Sequence, residues 1–265
     1  MNNNENQNHA LPKTHPRYQS LKYRHKIIEG MKELVVAEAG LIAHGRGECF
    51  DYILGEKTNI NAKLAIKAAS AMLLLANKPV ISVNGNTAAL VPNELVTLSK
   101  IINAPLEINL FYMKKGRIEA IKNILEKAGA TDIRGVTKEE MVELKGLDSN
   151  RRLVESIADA DVILVPLEDG DRTEILKKIG KKVIAIDLNP ISRTAIWADI
   201  TIIDNIVRAL PEMINVANEL KETNKSHLNE ILDSFNNKKN IQDALEQIKD
   251  YINAQKEDAF KILQS

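Results

Sequence analysis

A single cysteine, Cys49, and a single tryptophan stand in a chain of 265 residues. One thiol makes neither an intrachain disulfide nor a multi-cysteine metal site. Aromatic residues amount to only 4%, and neither sign of charge prevails, with Lys plus Arg at 36 and Asp plus Glu at 36. A chain without net charge has no general field that draws it to nucleic acid or to an anionic membrane surface. No nucleic-acid or membrane partner is therefore expected. No apolar run approaches the roughly 20 residues of a membrane span, and the start, MNNNENQNHALPKTHP, lacks a signal-peptide core. A soluble, cytoplasmic protein is expected. Hydrophobic residues still make up 44%, enough for a sizeable core, which excludes global disorder.

What the chain does have is short β-branched runs. VILV at 162–165, VIAI at 183–186 and ITII at 200–203 are too short for buried helices and do not alternate. Strands read this way when a parallel sheet buries them on both faces. PVISV at 79–83 and LEINLF at 106–111 are two further strands. Between and around them, AKLAIKAASAMLLLA (62–76) is apolar nearly all round, and GRIEAIKNILEKA (116–128) is amphipathic. Repeated strand–helix alternation predicts an α/β fold with a doubly wound, mostly parallel sheet and helices on both faces. The stretch 132–152 reads as a polar, irregular excursion.

In such sheets ligands sit beyond the carboxyl ends of the strands, and those ends are where this sequence turns polar. After 162–165 comes Glu168-Asp169-Gly170-Asp171-Arg172-Thr173, after 183–186 Asp187-Leu188-Asn189-Pro190, and after 200–203 Asp204-Asn205. Asn84 and Asn86 follow the strand at 79–83, where amides suit a carboxylate or a phosphate ester. Upstream, HGRG (44–47) reads as a glycine-rich turn before a helix starting at Glu48, with Arg46 aimed at a phosphate. His44 in that turn suits either a general base or a hydrogen-bonding structural role. The motif is neither a Walker A loop nor a G-x-G-x-x-G fingerprint. Arg17 and Arg24 lie on a basic segment, HPRYQSLKYRHK, whose guanidinium groups suit phosphate recognition.

The blocks HPRYQSLKYR, GLIAHGRGECFDYILGEKT, PVISVNGNTAALVP, EINLFY, VPLEDGDRTE and IAIDLNPISRTA together resemble the archaeal 4-phosphopantoate–β-alanine ligase, or phosphopantothenate synthetase, family. The resemblance runs from about His15 to Leu220. It implies a Rossmann-like fold, a homodimer, and condensation of 4-phosphopantoate with β-alanine. ATP is the implied co-substrate, and AMP and diphosphate are released through an acyl adenylate. It places ATP contacts on Arg24, Arg46, Asp187, Leu188, Asn189, Arg193, Thr194, Asn205 and Ile206. Arg46 and Arg193 are the implied catalytic cations, and Arg17, His44, Asn84, Asn86, Asp171 and Arg172 are candidates for substrate binding. Magnesium would accompany ATP, with Asp171 or Glu168 as oxygen ligands; the same acidic loop equally suits ribose hydroxyls or an ammonium group. A dinucleotide-dependent oxidoreductase and a catalytically silent nucleotide-binding module are the competing readings.

The expected organisation is a disordered tail (1–14), a Rossmann-like ligase domain with its basic N-terminal helix (15–224), and a C-terminal helical extension (225–265). The strand–helix pattern is complete before residue 225, so the extension is expected to be dispensable for folding.

Overall fold

A computed structural model describes residues 12–15, 17–110, 114–137, 140–142, 153–167 and 170–263. The expected disordered tail lies mostly outside these residues, as do Phe111, Glu168 and Asp169. The chain opens with helices α1 (Tyr18–Lys32), α2 (Glu38–Leu54) and α3 (Ile60–Leu75) and then enters the sheet. Its first strands are β1 (Pro79–Val83), β2 (Leu106–Ile108) and β3 (Ile133–Arg134). A separate antiparallel ribbon of β4 (Met141–Val142) and β5 (Leu153–Val154) follows. The chain then returns through β6 (Val162–Pro166), β7 (Lys182–Ile186) and β8 (Ile200–Ile202).

The main sheet has six parallel strands in the order β3-β2-β1-β6-β7-β8. β2 and β3 step outward on one side of β1, and β6, β7 and β8 on the other. The strand order therefore reverses between β1 and β6, the arrangement that opens a crevice at the carboxyl ends.

The three apolar runs are strands because both faces are covered. On one face Ile81, Leu164, Ile184 and Ile202 pack with α3, α5 (Pro92–Ile102) and α10 (Ile206–Leu220). On the other, Val80, Ile163, Val165 and Ala185 pack with Ile157 of α7 (Glu155–Asp159) and Leu176 of α8 (Gly170–Lys178). At roughly 25 cal/mol per Å2, two-sided burial of such runs is the main favourable term for the sheet.

Three expectations are corrected. HGRG is not a loop before a helix at Glu48: it lies inside α2, which begins ten residues earlier at Glu38. Of the three glycines of α2 it is Gly40, upstream of this motif, that packing requires. A Cβ on Gly40 would stand 2.3 Å from Asn86 Oδ1, so only glycine lets α2 approach α4 (Gly85–Leu90) this closely. The helix ends at Gly55, whose φ of 85° supplies the left-handed cap. Second, the excursion after Asp132 contributes β3 to the main sheet, two residues too short to show as an apolar run.

Third, the C-terminal helices α11 (Lys225–Asp233) and α12 (Asn237–Leu263) are built into the core. Leu228 and Ile231 join the main cluster, and Ala244 and Ile248 pack with Leu54, Leu188 and Ile203. α12 also caps the edge of the sheet. The Thr201 N–H of β8 donates to Asn237 Oδ1 at 2.8 Å, and Asn240 Nδ2 donates to the Thr201 carbonyl at 2.8 Å. Two side-chain amides thus satisfy backbone groups that an edge strand would otherwise expose. Truncation after Asn224 is accordingly expected to give insoluble or aggregated protein. Asn237→Ala, which orphans the buried Thr201 N–H, is expected to cost about 1–3 kcal/mol; unchanged urea denaturation of that variant would contradict the capping role.

Candidate active site

A cavity of about 370 Å3 opens where the strand order reverses. Its floor is made by residues that follow the strands: Asn84 after β1, Asn109 after β2, Leu167 after β6, Leu188 after β7 and Asn205 after β8. α2 forms the opposing wall with Gly40, Ala43, His44, Arg46, Gly47 and Glu48. Arg117, the first residue of α6 (Arg117–Lys127), closes the β1–β2 side.

Two ionic networks hold α2 in place. The first joins it to the β8–α10 turn. Arg208 Nη2 lies 2.5 Å from Asp51 Oδ1 of α2 and 2.6 Å from Asp204 Oδ1, while Asn205 Nδ2 donates to Asp51 Oδ2 at 2.8 Å. Thr58 Oγ1 donates to the other Asp204 oxygen at 2.6 Å. Asp51 and Asp204 are both buried. Burial pushes the Asp204 carboxyl up, and Arg208 and Thr58 oppose it. The second network joins α2 to α1: Arg24 Nε lies 2.8 Å from Glu48 Oε2, and Ser20 donates to Glu48 Oε1. Burial raises the Glu48 carboxyl, but the hydrogen bonds from Ser20 and Arg24 outweigh it and hold the group below its usual value. Arg17 stacks over Tyr52 at 4.2 Å and reaches Glu48 at 3.5 Å.

His44 Nε2 is buried in the cavity wall and has no hydrogen-bond partner among the described residues. Desolvation lowers the pKa of this imidazole, Glu48 works against that, and Arg24 lowers it further. The balance favours the neutral ring. At the β7 end, Asp187 accepts from the Asn189 N–H at 2.9 Å and from the Ser192 hydroxyl. Burial raises this carboxyl, against Ser192, Asn189 and the charge of Arg46.

The model of a family described as phosphopantothenate/pantothenate synthetase matches residues 61–251. The chain belongs to that family. It is 52% identical to the 4-phosphopantoate–β-alanine ligases of Thermococcus onnurineus and Thermococcus kodakarensis, over 91% of this chain and 92% of each relative. It is 46% identical to the same-named ligase of Methanosarcina mazei, over 91% of this chain and 95% of the relative. The family match runs to residue 251, so the resemblance does not stop near Leu220, and it takes in α11 and much of α12.

The residues that the resemblance assigned to the nucleotide fall into two groups. Arg46, Leu188, Asn205 and Ile206 line the cavity, with Asp187 and Asn189 in the same β7 turn. Arg24 stands behind this wall on Glu48. Arg193 and Thr194 begin the short helix α9 (Arg193–Trp197) and are not among the lining residues. Arg193 is paired with Asp171 and Glu174, and Thr194 is 2% exposed.

The acid-substrate candidates divide as well. His44, Asn84 and Asn86 line the cavity, but both asparagine amides are committed. Asn84 Nδ2 donates to the carbonyls of Pro166 at 2.9 Å and Leu167 at 3.1 Å, which ties β1 to β6 at the switch point. Asn86 Nδ2 donates to the Gly40 carbonyl at 2.9 Å. Arg17 belongs to the α1–α2 network, and Asp171 to Arg193. Arg172 is buried beneath the sheet, 3.6 Å from Glu107 Oε1 of β2.

Sequence reasoning missed Arg117, Asn109 and the Asp51–Arg208–Asp204 network. Arg117 lies in the segment read only as an amphipathic helix; it is 5% exposed and donates to the Val35 carbonyl at 3.0 Å. Arg208 was findable, since it stands four residues after Asp204 on the same helix start, the spacing of a helical ion pair.

Glu107 carries a separate consequence. Burial pushes its carboxyl up to about 7, against Arg172, the Ser156 hydroxyl and the Ile157 N–H. A carboxyl raised on folding binds its proton more tightly in the native state, so its contribution is full at low pH and is lost as pH rises through the folded value. Stability is therefore expected to fall between about pH 4.5 and 7. Glu107→Gln should flatten that slope in denaturation series; an unaltered slope would show that Glu107 is ionised throughout.

Proposed function

We propose that the chain is an ATP-dependent ligase that condenses 4-phosphopantoate with β-alanine to 4′-phosphopantothenate, releasing AMP and diphosphate, in archaeal coenzyme A synthesis. The observation that carries this reading is the match to same-named ligases over nine-tenths of the chain. A cavity at the switch point, with a cation on one wall and helix α10 starting on its floor, supports it. The competing oxidoreductase reading has no such support, and the first βα turn reads Asn84-Gly85-Asn86 where a dinucleotide fingerprint would need G-x-G-x-x-G.

A carboxylate does not react with an amine at neutral pH until it carries a leaving group. In the proposed reaction the carboxylate oxygen of phosphopantoate attacks the α-phosphorus of ATP, and diphosphate leaves. The amine of β-alanine then attacks the acyl carbon, and AMP leaves. 4-Phosphopantoate and the nucleotide are anionic and β-alanine carries a carboxylate beside its ammonium group, so catalysis rests on positioning and cationic stabilisation. Arg46 is assigned to the phosphates as charge builds at the α-phosphorus. Arg193 is assigned to the same work, and it would have to exchange Asp171 and Glu174 for phosphate oxygens. The turns at Asp187-Leu188-Asn189 and Asn205-Ile206 are assigned to the nucleoside.

Magnesium is expected to arrive with ATP, held mainly by phosphate oxygens and water. The described residues do not build a cage for it: among them no three His, Cys, Asp or Glu side chains form a metal-holding group, and Asp171 is committed to Arg193. A homodimer is part of the same proposal, with the exposed Ile60 and Leu64 of α3 as apolar surface that suits it. So is a cytoplasmic location; no helix among the described residues is long and apolar enough to cross a membrane. The body (15–224) and the extension (225–265) are proposed to act as one unit, since α12 packs behind Leu188.

The test is turnover of ATP with 4-phosphopantoate and β-alanine, followed as AMP. AMP formation that depends on both acids is the expected result, and formation of ADP, or none, would remove the reading. In that assay Arg46→Ala should lose a charge-assisted contact worth about 1.5–3 kcal/mol, at least a tenfold drop in kcat/KM for ATP. Unchanged ATP dependence would exclude Arg46 from the phosphates.

A further inference from the structure

β-Alanine enters as an ammonium ion and cannot attack the acyl carbon until it gives up a proton. Among the described residues that line the cavity, only His44, Arg46, Glu48 and Arg117 carry ionisable side chains. Guanidinium groups do not act as bases at neutral pH. Glu48 already accepts from Ser20 and from Arg24 Nε at 2.8 Å, and those bonds favour its ionised form and weaken it as a base. His44 is left. Among the described residues its Nε2 is buried and has no hydrogen-bond partner, an unsatisfied nitrogen that a bound amine could pair with. It sits two residues before Arg46 on the same helix, and both residues line the cavity. The charged groups acting on it are Glu48 of its own helix and Arg24 of α1.

We propose that His44 is the catalytic base that takes the proton from the β-alanine ammonium in the second half-reaction; the proposal rests on the ligase reading above. The proton passes to Nε2, and the freed electron pair forms the C–N bond at the acyl carbon. The C–O bond to AMP then breaks, and its pair stays on the phosphate oxygen. The second N–H proton goes to the departing phosphate, and the imidazolium returns its own proton to solvent.

The two half-reactions separate this role from a structural one. Pyrophosphate exchange into ATP, with 4-phosphopantoate and no amine, reads adenylate formation alone. Amide formation reads the base, and hydroxylamine, largely unprotonated at neutral pH, needs none. For His44→Asn and His44→Gln the expected result is a loss in β-alanine transfer at least a hundredfold larger than any loss in exchange, with hydroxylamine transfer largely restored. Equal losses for both nucleophiles, no loss with β-alanine, or loss of exchange in both variants would overturn the assignment. A wild-type protein that performs no exchange would instead overturn the ligase reading itself.

Discussion

The site depends on a guanidinium shared by two buried carboxylates. Arg208 binds Asp51 of α2 and Asp204 at the end of β8, and Asn205 adds a hydrogen bond to the same Asp51. Without the cation, two negative charges would face each other out of water, and breaking a buried pair in this way typically costs about 3–5 kcal/mol. Desolvation works against the Arg208 charge, but the bonds from Asp51 and Asp204 outweigh it and raise the pKa of the group. Such a cluster fixes geometry more than it adds stability. Here it fixes the distance between the helix that carries His44 and Arg46 and the turn that starts α10.

From that clamp the chemistry divides across the switch point. On the β7–β8 side stand the turns assigned to the nucleotide, backed by α12 through Leu188, Ala244 and Ile248. On the β1–β2 side stand Asn84, Asn86, Asn109 and Arg117, with the asparagine amides of the first two spent on holding β1 to β6 and α4 to α2. α2 spans both halves. A reaction that must bring an acid, an amine and a triphosphate to one carbon needs a wall of this kind.

Most of the sheet was legible because its longer strands are short apolar runs, the pattern of a parallel sheet buried on both faces; β3, two residues long, was not. The polar strand ends pointed correctly to the carboxyl edge. α2 was not legible: three glycines in eight residues look like a turn, and the one that packing requires, Gly40, owes its place to Asn86, distant in sequence. The C-terminal helices misled for a similar reason. Their polar composition describes the exposed side, whereas Asn237 and Asn240 act on the β8 edge and only a few apolar residues enter the core. Asp171 and Arg172 are adjacent in sequence, yet one faces Arg193 at the surface and the other Glu107 under the sheet. Helical geometry alone separates them.

The clamp is tested most directly by a double-mutant cycle read as ATP affinity in calorimetric titrations, with Asp51→Asn, Arg208→Met and the double variant beside the wild type. Each single substitution is expected to weaken ATP about tenfold or more, about 1.4 kcal/mol. The double variant should bind no worse than the weaker single variant, since both remove one coupled unit. Wild-type affinity in either single variant, or losses that simply add, would contradict the dependence of the nucleotide site on this interaction.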